Sequence, residues 1–163
     1  MFTHRVPENF ILLISGSGGA NGQYVQITTN SDNSQTPSMN IVSSPNAATV
    51  LTIDSNTNLA LPDDSETAYV SNGQTLKGDP VYFANQTPPR AQSLSCSLGG
   101  DVGTSEASLT CTALEDTTWY YCAAEEWIVS APAGSDSDVE GTGVGSEFGP
   151  GCTAITLSAI APP

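Results

Sequence analysis

Basic residues are nearly missing from this chain: Arg5, Lys77 and Arg90 stand against 17 acids, for a formal net charge of −14 over 163 residues. Nothing after Arg90 is basic, while ten acids lie between Asp101 and Glu147. Phosphate backbones and anionic lipid headgroups recruit proteins through Lys and Arg, so nucleic acid and membrane surfaces are excluded as partners. Histidine is equally scarce. His4 is the sole one, which argues against a Ser-His-Asp or Cys-His catalytic site. No G-x-S-x-G occurs, and the run from Gly16 to Gly19 precedes no helical pattern, so it reads as a turn and not a phosphate cradle. Acid pairs such as Asp63/Asp64, Glu115/Asp116 and Glu125/Glu126 are adjacent in sequence, and neighbours on a strand point to opposite faces. Glycoside hydrolysis needs two carboxyls across one bond. The expectation is therefore no enzyme and no resident cofactor.

Long apolar runs are missing too. No stretch approaches the roughly 18 residues of a membrane span. The run Phe10-Ile11-Leu12-Leu13-Ile14 is too short for a signal-peptide core and has no cleavage motif after it. For a secreted protein this implies a signal already removed and Met1 added, with residues 1–8 a tail or processed end.

What is present describes a chain that collapses. With 38% apolar and only 12% charged residues, acidity does not imply disorder here. One domain over residues 1–163 would bury roughly 70% of the surface the unfolded chain exposes. The four cysteines, Cys96, Cys111, Cys122 and Cys152, have 14, 10 and 29 residues between them. That spacing lacks the C-x-x-C pair of a zinc site and suits two disulfides in an oxidising compartment, hence a secreted protein. Three connectivities exist. Closeness in sequence points to Cys111–Cys122 across a hairpin, leaving Cys96–Cys152.

Helical periodicity is hard to find, whereas short β-rich runs alternate with turn residues throughout. Strands are expected near 10–15, 23–28, 39–43, 49–53, 58–61, 68–71, 80–84, 92–98, 107–112, 118–123, 126–131 and 153–160. Asn72-Gly73 tolerates the positive φ of a type I′ turn and signals a hairpin. About twelve short strands predict an all-β fold. The rhythm "strand, Asp-turn, short strand" over 49–59 favours a β-trefoil-like barrel, with another barrel or a sandwich as alternatives. Three clean sequence repeats are not visible.

The C-terminal third carries a resemblance. Leu109-Thr110-Cys111, Trp119-Tyr120-Tyr121-Cys122, Trp127-Ile128-Val129 and the closing run Gly151-Cys152-Thr153-Ala154-Ile155-Thr156-Leu157 resemble the ending of ascomycete secreted cell-wall proteins of the phialide-protein type. The likeness covers about residues 107–160. It implies a non-catalytic fungal surface or cell-wall protein. The acidic, Gly-rich loop 132–151 departs from that pattern.

Within that loop, Asp136, Asp138, Glu140 and Glu147 follow D-x-D-x-E-G-x5-E, the oxygen-ligand spacing of an EF-hand calcium loop. Against calcium stand a Glu at the fifth position, Gly143 where an apolar residue is usual, and Pro132 and Pro150 in place of flanking helices. A solvated acidic loop is the competing reading. Trp119, Tyr121 and Trp127 form an aromatic cluster. If Cys122 faces the core, strand alternation leaves one of Trp119 and Tyr121 exposed beside Glu125 or Glu126, able to stack on a sugar while the carboxylate takes its hydroxyls. Core packing is the alternative. Asn85-Gln86-Thr87 is the one N-glycosylation sequon, with Pro88 directly after it. Three functions follow: a non-catalytic cell-wall or surface protein, a lectin-like module binding wall polysaccharide or other surface glycans, and a secreted effector or inhibitor of a foreign protein.

Overall fold

A computed structural model describes residues 9–16, 19–28, 38–63, 65–70, 79–86, 91–113, 117–123, 127–131 and 152–163. These residues form an all-β, barrel-like body, and the single helical turn among them is the 3-10 turn Pro45–Ala47, in which the Asn46 N–H donates to the Ser44 hydroxyl. Some of its strands alternate buried and exposed residues, as Leu109–Thr112 does, while others, such as Thr118–Cys122, are buried at successive positions; they fall into three successive groups of similar plan.

The first group holds β1 (Ile11–Gly16), β2 (Tyr24–Ile27), β3 (Met39–Val42) and β4 (Thr52–Ile53). The second holds β5 (Leu59–Ala60), β6 (Thr67–Val70), β7 (Asp79–Ala84), β8 (Gln92–Ser93) and β9 (Ser95–Leu98). The third holds β10 (Leu109–Thr112), β11 (Thr118–Cys122), β12 (Trp127–Ala131) and β13 (Cys152–Ile160). The expected run 92–98 is divided at Leu94, which leaves the ladder to bury its side chain completely. Asn72-Gly73 lies outside the described residues.

Six strands close into a ring. Ladders join β13 to β1, β4 to β5 and β9 to β10. Single bridges alternate with them: Phe10 with Leu51, Asn58 with Ser95, and Ser108 with Ser158. Closure satisfies strand edges that would otherwise be templates for aggregation. The same hydrogen bond recurs once per group: the N–H of Leu51 donates to the Phe10 carbonyl, that of Cys96 to Thr57, and that of Ala159 to Ala107. Two residues beyond each of those carbonyls stands a buried leucine: Leu12, Leu59 and Leu109. Each buried leucine contributes about 1.5–3 kcal/mol relative to leaving it exposed.

Of the remaining seven strands β8 pairs with β6, and the other six pair as hairpins, β2 with β3, β6 with β7 and β11 with β12. They meet one another through their second strands. Trp127 pairs with Asn40, Val129 with Pro80, and the Ser38 N–H donates to the Val81 carbonyl at 2.8 Å. Ser38 is fully buried, and its hydroxyl accepts the Phe83 N–H at 2.9 Å, so a polar residue in the core is satisfied and stitches two hairpins together. The inward faces of ring and hairpins share one hydrophobic core. Gly99, in the β9–β10 turn, is needed for close approach: a Cβ there would stand 2.7 Å from the Glu106 carbonyl oxygen.

Candidate functional site

Of the residues named from sequence, Trp119, Tyr121 and Cys122 lie on β11, between Trp127 of β12 and Cys152 of β13. Alternation sends Trp119 and Tyr121 to one face, with Ile128 and Ile155, and Tyr120 and Cys122 to the other. Both faces are buried. Trp119 and Tyr121 retain 5% exposure each and belong to the main core, while Tyr120 and Cys122 retain none. Core packing, the other reading, holds for Trp119 and Tyr121, and the expectation of a solvent-facing ring at either is thus corrected. It assumed that a Cys122 directed into the core leaves the opposite face wet. Instead the outer face carries a core of its own, made of Tyr120, Cys122, Val129 and Cys152, with Trp127 and Ala154 packed around it. Trp119 is further fixed by its indole N–H, which donates to the Leu109 carbonyl at 3.1 Å and ties the third hairpin to the ring.

Trp127 differs from the other two aromatics. It begins β12 and is only partly buried, with its backbone opposite Asn40. The Asn40 amide is engaged, donating to the Thr28 hydroxyl at 2.8 Å and the Ser38 carbonyl at 3.0 Å. Glu125 and Glu126 lie outside the described residues, as do the calcium candidates Asp136, Asp138, Glu140 and Glu147. Among the described residues no group of three His, Cys, Asp or Glu is placed to hold a metal ion.

The cysteines form two disulfides, Cys96–Cys111 and Cys122–Cys152. This corrects the pairing read from the sequence. Both bridges join residues directly opposite each other on antiparallel neighbours, Cys96 with Cys111 across β9–β10 and Cys122 with Cys152 across β11–β13. Their Cα atoms lie 4.0 Å apart in each case. Cys111 could not meet Cys122, because β10 takes its ladder from the preceding strand and the two sulfurs sit in different cores. All four sulfurs are buried, which shields the bonds from an attacking thiolate.

Residues outside the aromatic cluster and the disulfides also shape the molecule. At the turn between β4 and β5 the Asp54 carboxylate accepts the N–H groups of Asn56 and Asn58, both at 2.9 Å. That Asx turn holds Thr57 at φ 66°, a left-handed conformation in which a β-branched residue is strained. On the second hairpin Tyr69 and Tyr82 stack across the strands with centroids 5.5 Å apart. Burial pushes the Tyr69 hydroxyl above its ordinary value. The hydroxyl and backbone N–H of Ser65 hold the exposed Asp63 carboxyl below its ordinary 3.8.

The chain matches no protein-family model, no curated protein and no solved structure. Among the described residues no helix is long and apolar enough to cross a membrane.

Proposed function

We propose that this chain is a secreted, non-catalytic surface protein of the fungal cell-wall type, built as a β-trefoil-like barrel and acting through stability, adhesion or masking. The observation that carries the reading is the pair of buried disulfides, since such bonds persist where thiols are not kept reduced. The ring of six strands with three hairpins, arranged in three similar groups, supports the trefoil reading. The C-terminal resemblance supplies the cell-wall assignment. Strong acidity fits a protein that stays soluble and avoids phosphate surfaces.

Fractionation of the producing cells with an antibody to the whole chain tests this reading. The protein is expected in the medium or the wall fraction, and a pool confined to the cytosol would overturn it. A carbohydrate-binding role now rests on Trp127, the partly accessible member of the aromatic set. A glycan array read with the native protein and with Trp127→Ala examines it: binding lost in the variant supports a lectin, and no binding by either rejects it.

A further inference from the structure

We propose that Asn85 carries an N-linked glycan, a modification that rests on the secretory reading above. Strand β7 ends at Ala84, and the chain leaves the sheet at Asn85 and Gln86 in a bend where both residues are exposed. Two residues earlier Phe83 is fully buried; a continued strand would return Asn85 to that same face, so its exposure marks where the chain leaves the sheet. No hydrogen bond engages the Asn85 amide among the described residues, which leaves its nitrogen available. Thr87 completes the acceptor triplet Asn-x-Thr, and this triplet occurs once in the chain.

The chemistry balances without a redox partner. The Asn85 Nδ2 gives up a proton and forms a bond to the anomeric carbon of a lipid-linked oligosaccharide diphosphate. The bond from that carbon to the diphosphate breaks, and the lipid diphosphate leaves. A glycan here projects from the second hairpin without displacing any core residue. It adds neutral polar bulk to a surface otherwise governed by negative charge.

The test expresses the full chain behind a heterologous signal peptide in a eukaryotic secretory host and examines medium and lysate by intact-mass spectrometry. The expected result is the mass of one core oligosaccharide, lost in Asn85→Gln and in Thr87→Ala and kept in Thr87→Ser. Because the site is exposed, an amidase should remove the glycan from the native protein without denaturant. Asn85→Gln should melt at the same temperature as the enzymatically deglycosylated wild type. An unmodified chain with paired cysteines would overturn this proposal and leave the secretory reading standing. A modified chain with free thiols would support the glycan and count against that reading. A mass gain that survives Asn85→Gln would also overturn the proposal.

Discussion

At the residue scale, a side chain's role here follows from which of two buried faces receives it. Trp119 fills the main core and spends its one polar atom on the Leu109 carbonyl. Trp119→Ala therefore removes both a large apolar volume and a bond between hairpin and ring. A loss of about 3–5 kcal/mol in urea unfolding is expected, the range for truncating a buried aromatic, and a near-neutral result would contradict the burial described. Thr57 gives the opposite sign. Its left-handed φ of 66° costs an ordinary residue about 1–2 kcal/mol and costs asparagine less. Thr57→Asn is expected to raise stability by about 0.5–1 kcal/mol, since the bond lost to the Ser95 hydroxyl is exposed. A melting temperature below wild type would argue against strain at that turn.

At the element scale, strand existence was legible because period-2 patterning and turn residues are local properties. All twelve expected runs contain strands, and the chief departure is the break at Leu94. The three-group plan was not legible. Equivalent inward positions of the hairpins hold residues as unlike as Val25, Ala68 and Trp119, so register reveals the likeness that identity conceals. Disulfide pairing was misread for a related reason. Proximity in sequence suggested Cys111 with Cys122, but a ladder between β11 and β13 brings Cys152 across 30 residues of sequence separation to lie opposite Cys122. The exposed ring expected at Trp119 or Tyr121 is absent for the same reason, because no single-strand alternation rule announces that the outer face of β11 is also covered. Closing a loop of 30 residues restricts the unfolded chain. The Cys122→Ala/Cys152→Ala variant is therefore expected to lose about 3–4 kcal/mol in equilibrium unfolding. Unchanged stability would mean the bridge adds nothing to the fold.

At the scale of the whole molecule, charge governs the response to pH. A net charge of −14 repels itself at neutral pH, and partial protonation relieves that repulsion. Asp63 has a depressed pKa, so its contribution is present above the ordinary 3.8 and is lost only as pH falls through the lower folded value. It does not oppose acid stabilisation at pH 4.5. Tyr69 has a raised pKa, so its contribution holds below the ordinary 10.0 and is lost as pH climbs through the folded value. Calorimetry in metal-free buffer should give a melting temperature at pH 4.5 equal to or above that at pH 7.5, with a decline at strongly alkaline pH. A clear fall at pH 4.5 would point to specific carboxylate bonds or a bound cation.

The sulfurs tie neighbouring strands in both cores, and the proposed oxidising compartment rests on them. The most direct test is a non-reducing peptide map, with thiol titration in denaturant, of protein purified from its producing cells. No free thiol is expected, and two linked peptides, one joining Cys96 to Cys111 and the other Cys122 to Cys152. Titratable thiols, or a peptide joining Cys111 to Cys122, would contradict this.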